Sequence, residues 1–177
     1  CGIDFMDAKK EDYKVIEKAF YSEGITSFLA TTLTSDLESM IRVCETVKEA
    51  KEEVPSLLGI HLEGPYINEI YKGAQNKDFI RKPSVSELEK LIEASGDNIR
   101  LISLAPEIEG SDEFIGEAYD RYITLSAGHT NATFADVEKA RKYGLTNITH
   151  AHNAMSKYDH KNPGVVASAM YFDDLYT

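Results

Sequence analysis

Cysteine is scarce in this chain of 177 residues, with only Cys1 and Cys44 present. Two thiols so far apart give neither a zinc-finger spacing nor a disulfide framework, and they suit a reduced, cytoplasmic setting. Basic residues are outnumbered, 19 Lys and Arg against 30 Asp and Glu, which leaves a formal charge of −11. A surface of that average sign attracts neither a nucleic acid nor an anionic membrane. A small anionic ligand remains compatible, because a few local cations can dominate one pocket. No apolar run approaches the ~20 residues that a bilayer-crossing helix needs, and no signal-peptide pattern opens the chain. Glycine-rich phosphate loops of the P-loop or dinucleotide type are missing as well. What is present, 42% hydrophobic residues with ordinary charge density, is enough for one sizeable core in a soluble globular protein.

Apolar spacing alternates between two periods along the chain. Helical spacing runs over Lys9 to Ser22, with Tyr13, Val15, Ile16, Ala19 and Phe20 inward, and again from a cap at Ser35 or Asp36 through about Ala50. Further helices are expected from Pro83-Ser84 to Gly96, over Asp112 to Arg121, over Asn131 to Tyr143, and over the small apolar stretch Gly164 to Met170. Between them lie runs of strand character around Ile25, Leu57, Leu101, Ile123 and Ile148. Strands alternating with helices predict a parallel sheet with right-handed crossovers. The long polar connection from Tyr66 to Lys82 is of a kind that is commonly functional.

Three of those strands end in residues that carry chemistry. LLGIHLEGP, from Leu57 to Pro65, finishes in Glu63 just before a Gly-Pro break; YITLSAGHT finishes in His129; LTNITHAHNAM finishes around His150. A buried carboxylate is costly unless it is paired or metal-bound, and a neutral imidazole suits a divalent ion. Small residues before His129 allow close backbone approach, and Thr130-Asn131 after it are expected to cap the next helix. His150 and His152 are two apart on what reads as a strand, so only one faces inward, and parity alone does not choose between them. An open doubly wound sheet and a barrel both fit the alternation. Convergence of three strand ends on one axis favours the barrel, and five strands predict a partial (β/α)8 TIM barrel in an α/β chain. One acid and two imidazoles with an open position form a known kind of catalytic zinc site, which lowers the pKa of water towards ~7 and implies amide or ester hydrolysis.

The stretches HLEGPYIN, KGAQN, FIRKP, LAPE, SAGHTNATF and THAHNAM followed by NPG, in that order and spacing, resemble the N-acetylglucosamine-6-phosphate deacetylase family of the amidohydrolase superfamily. The likeness runs from Gly2 through essentially the whole chain. It implies that Glu63, His129 and His150 are the metal ligands, which selects His150 over His152. It implies a divalent cation, zinc first and otherwise iron, manganese or cobalt. It implies that Ala74 and the Asn153-Ala154 backbone contact an amino-sugar phosphate, with Lys161 where the family generally has an arginine for the phosphate. A lysine keeps that charge but not the bidentate fork, and His160 stands nearby to assist.

The implied reaction hydrolyses the acetamide of N-acetylglucosamine 6-phosphate to glucosamine 6-phosphate and acetate, in a protein that acts as a homodimer. By the same likeness an HxH pair is expected just before Cys1, and the general acid or base, an aspartate at the end of the last barrel strand, is expected beyond Thr177. The remaining strands and a small β-sandwich are expected outside these 177 residues too, which alone are expected to be inactive. Asp173 and Asp174 follow a short helix rather than a strand and are not that aspartate. The rival readings are another metal-dependent amidohydrolase, of dihydroorotase or adenine-deaminase kind, and a non-catalytic sugar-phosphate-binding barrel piece. A metal-free aldolase barrel is disfavoured because no strand ends in a lysine.

Overall fold

The computed structural model describes residues 2–177; Cys1, one of the two thiols, lies outside them. Five strands, β1 (Phe28–Thr32), β2 (Leu57–Glu63), β3 (Ile99–Leu104), β4 (Thr124–Ala127) and β5 (Leu145–Ile148), form one sheet. The helices are α1 (Asp12–Ser22), α2 (Leu37–Lys51), α3 (Val85–Ser95), α4 (Ser111–Asp120), α5 (Phe134–Arg141) and α6 (Val165–Tyr171). Each strand pairs in parallel with the next, in the order β1-β2-β3-β4-β5. A doubly wound sheet reverses its strand order at a switch point, whereas a barrel wall does not. This unbroken order is that of part of a (β/α)8 barrel, and α2 packs on α3, α3 on α4, α4 on α5 and α5 on α6 in sequence. Beyond β5, Tyr176 continues the parallel pairing with Asn147.

The helices form where the spacing predicts them, with local corrections. Asp36, not Ser35, caps α2 by accepting from the Ser39 amide at 2.8 Å. Ser84 caps α3, and Gly96 ends it in the left-handed conformation. Val15 is 52% exposed rather than inward. The cap of α5 is Thr133, in a capping box with Asp136, not Thr130-Asn131. Thr130 is unavailable for capping because its hydroxyl donates to Glu107 and accepts the Ala132 amide.

Period-two alternation gives the sheet two different faces. Ile60, Leu62, Ile102, Leu104 and Leu125 are all buried in the layer shared with the helices. The opposite face, towards the barrel axis, carries Thr31, His61, Glu63, Ser103 and Ser126. There the His61 ring lies 2.7 Å from Ser103 Oγ and 3.2 Å from Thr31 Oγ1. Thr149, just past β5, meets both Ser103 and Ser126 at 2.6 Å. This polar seam leads up to the strand ends.

Cys44 sits in the helical layer of the core, fully buried, and burial pushes its thiol up to about 12. An unperturbed thiol near ~8.5 is partly thiolate at pH 8, whereas this one is not. A thiol reagent at pH 8 is expected to leave Cys44 unmodified in the folded protein and to modify it fully after unfolding, read by peptide mass mapping.

Candidate metal centre

Glu63 is the last residue of β2, and the chain leaves the sheet at once through Gly64 and Pro65. Gly64 has a φ of +83°, and a Cβ there would lie 2.1 Å from Thr34 Oγ1, so the turn accepts no larger residue. His129 follows β4 with a φ of +50°, and His150 follows β5 with a φ of +36°. Both imidazoles therefore sit on left-handed turns, which non-glycine residues seldom adopt and which concentrate at functional sites. The expectation that His150 and His152 lie on a strand is corrected here: β5 stops at Ile148, and His152 has a φ of +74°. Strand parity thus has no bearing on which histidine turns inward.

The three side chains meet. His129 Nε2 is 2.8 Å from Glu63 Oε1, His150 Nε2 is 3.6 Å from the same oxygen, and the two Nε2 atoms are 3.2 Å apart. The rings stand nearly perpendicular, at 89°. His129 is buried, Glu63 half-buried and His150 on the open side. Each Nδ1 faces a backbone carbonyl, Tyr71 O at 2.9 Å for His129 and Asn153 O at 3.1 Å for His150. A carbonyl only accepts, so each Nδ1 carries a proton, and in the neutral imidazoles both Nε2 atoms present lone pairs.

Three acceptors so close together repel unless a positive charge lies between them. Burial alone would lower the His129 pKa, but the Glu63 hydrogen bond and the Tyr71 carbonyl override it and raise the value. The Glu63 carboxyl is correspondingly held below its ordinary range, chiefly by His129. Ligand atoms about 2.0–2.2 Å from a tetrahedral zinc are roughly 3.3–3.5 Å from one another. The three separations here bracket that value, and a two-nitrogen, one-oxygen donor set whose Nδ1 atoms are already tied back fits a divalent cation. Among the described residues, this is the group of acidic, histidine and cysteine side chains with metal-binding geometry.

The remaining sequence candidates lie at graded distances. Ala74 is exposed on the connection after β2, between Gly73, where a Cβ would lie 3.7 Å from His129 Cε1, and Gln75. Asn153 holds the His150 ring through its carbonyl, and the Ala154 carbonyl accepts the Thr130 amide at 3.1 Å, so both lie in the turn beside the cluster. Lys161 is apart from them. It is exposed in a turn where its amide donates to Asp159 Oδ1, and no ion pair among the described residues joins its ammonium to the cluster. His160 is exposed next to it. Asp174 is paired with Arg141, away from the cluster. The aspartate expected beyond Thr177 lies outside the described residues. Thr177 itself is exposed, directly after the Tyr176 pairing with β5, and is not among the residues that meet at the cluster.

Sequence reasoning missed Gln75. It is 4% exposed, its Oε1 accepts the Thr34 amide at 2.7 Å, and its Nε2 reaches Glu63 Oε1 at 3.3 Å. An uncharged side chain in a polar loop carries no signal of its own; only its place in KGAQN pointed there.

Fold and cluster together define the class: part of a parallel (β/α)8 barrel with a Glu/His/His cluster that could hold a cation at the C-terminal ends of its strands. Within that class, the chain is similar to the N-acetylglucosamine-6-phosphate deacetylases. It is 37% identical to the one from Bacillus subtilis, over 99% of this chain and 46% of that protein. The crystal structure of the Thermotoga maritima deacetylase matches 98% of this chain at 38% identity with a TM-score of 0.89, over 46% of its own length. A Mycobacterium smegmatis variant, solved in complex with N-acetyl-D-glucosamine-6-phosphate, matches 97% of this chain at 25% identity and a TM-score of 0.92, over 45% of its length. The chain thus spans about half the length of the relatives it matches. No family model matches it. No helix of the described residues is long and apolar enough to cross a membrane.

Proposed function

We propose that this chain is the central part of a (β/α)8 catalytic domain, and that the full protein hydrolyses the acetamide of N-acetylglucosamine 6-phosphate to glucosamine 6-phosphate and acetate. The observation that carries the reading is the convergence of Glu63 Oε1 and the two imidazole Nε2 atoms within 3.6 Å, in a chain similar throughout to deacetylases of that substrate. Glu63, His129 and His150 hold a divalent cation, zinc before iron, manganese or cobalt. When bound, that ion supplies Lewis acidity for activating water and polarising a carbonyl.

The chain's own residues do the rest of the positioning. The Tyr71 and Asn153 carbonyls hold the Nδ1 protons, so that the neutral rings turn their Nε2 lone pairs to the cation. Gln75, anchored by the Thr34 amide, directs its Nε2 donor into the same space. Ala74 and the Asn153-Ala154 backbone form the wall beside the sugar, and Lys161 attracts the phosphate. Binding energy at a phosphate far from the reacting amide serves to orient that amide. Proton transfer from water to the departing amine is assigned to an aspartate beyond Thr177. The remaining strands and a β-sandwich are likewise assigned outside these 177 residues, and the active protein is a homodimer.

Acetate release by the full protein tests this reading. Activity is expected to vanish on dialysis against a chelator and to return on adding zinc, and full activity in the stripped protein would overturn it. Lys161→Ala is expected to raise KM for the phosphorylated substrate about 10- to 100-fold, the worth of one charge-assisted hydrogen bond, with kcat changed less. An unchanged KM would remove Lys161 from the phosphate site.

A further inference from the structure

Glu107, the acid of the LAPE stretch, lies on the connection after β3 and ligates nothing. Both its oxygens are nonetheless occupied. Oε1 accepts from Asn131 N at 2.7 Å and from Asn68 Nδ2 at 2.9 Å, while Oε2 accepts from the Thr130 hydroxyl. Thr130 and Asn131 directly follow His129. Asn68 donates its amide to the His129 carbonyl at 2.8 Å, and its side chain caps the short turn Glu69–Tyr71 through the Ile70 amide. That turn delivers the Tyr71 carbonyl to His129 Nδ1.

The contacts close into a ring. From Glu107 one arm runs through Thr130 and Asn131 to the His129 backbone; the other runs through Asn68 and the Glu69–Tyr71 turn to the His129 imidazole. A histidine at a φ of +50° persists only where its surroundings over-determine it. We propose that Glu107 is the positioning residue for His129: it fixes backbone and ring together, so that Nε2 points at Glu63 and at the cation. This rests on the metal reading above.

A carboxylate suits the place, because three donors converge on it and both of its oxygens only accept. Glu107→Gln turns one acceptor into a donor against them. Partners of metal-ligating histidines typically contribute 10- to 100-fold to metal affinity when removed.

The test uses the full protein loaded with cobalt(II), and a control variant, Ser111→Ala, which removes a buried hydrogen bond to the Ala105 carbonyl in the same connection without touching the ring. Glu107→Gln is expected to weaken cobalt binding about 10- to 100-fold and to shift the visible d–d bands. Ser111→Ala is expected to change neither. Equal affinity and spectrum in Glu107→Gln, or the same loss in Ser111→Ala, would overturn the proposal. If the unsubstituted protein binds no cobalt, the metal reading fails by itself, and proton NMR of the His129 Nδ1–H still decides on Glu107. A slowly exchanging signal that disappears in Glu107→Gln supports the positioning role, and one that persists in the variant overturns it.

Discussion

Glu63→Gln in the full protein is expected to abolish tight metal binding and to lower acetate release by at least ~10³-fold, because the Lewis-acid contribution of a bound ion amounts to several kcal/mol of barrier. The substitution keeps shape and removes the charge that balances a dication between two imidazoles. Without metal, the Glu63 carboxylate accepts from a protonated His129 Nε2, 2.8 Å from Oε1, and in the variant the new amide donates to the neutral ring instead, so one hydrogen bond replaces another while the metal affinity is lost. The metal-free fold is therefore expected to melt at nearly the same temperature in both proteins. Added zinc should raise the melting temperature of the unsubstituted protein and leave that of the variant in place, since a ligand stabilises only the fold that binds it. Unchanged acetate release after metal reloading would remove Glu63 from the site.

The second large effect is on stability and lies away from the site. Phe114 in α4 is 1% exposed and meets Tyr66 edge-on, with ring centroids 4.8 Å apart. Tyr66 begins the connection that carries Asn68 and Tyr71 over His129, and its hydroxyl is tied to Glu87. Phe114→Ala removes one ring of the pair and is expected to cost about 3–5 kcal/mol, the usual result of truncating a buried aromatic. At about 2–4 °C per kcal/mol for a domain of this size, the melting temperature should fall by roughly 6–20 °C. A calorimetric shift under about 2 °C would mean that the site collapses without a cavity, contrary to the packing described.

Much of this arrangement was legible in the sequence, for physical reasons that can be named. Strand-to-helix alternation forces parallel pairing, and Glu63 and His129 each stand where a strand meets Gly or a helix start. The unbroken strand order then distinguishes the barrel from an open sheet, which alternation alone does not do. His150 was legible as a residue but not as a geometry, because left-handed turns at non-glycine positions have no sequence signature. The close approach of β2 to the Asn98 carbonyl at Gly59, where a Cβ would lie 2.3 Å from that oxygen, was equally silent. The cap expected at Thr130 does not form, and nothing local reveals that Glu107, 23 residues earlier, has claimed its hydroxyl. Gln75 and Glu107 share that character: their partners are distant in sequence, and only the folded chain brings them to Glu63 and to the turn after His129.

The most direct test of the shared cation is an anomalous difference map from crystals of the full protein, recorded at the absorption edge of zinc after zinc loading. The account predicts a peak within about 2.0–2.2 Å of Glu63 Oε1, His129 Nε2 and His150 Nε2 together. Zinc-loaded crystals with no peak touching these three atoms would contradict it.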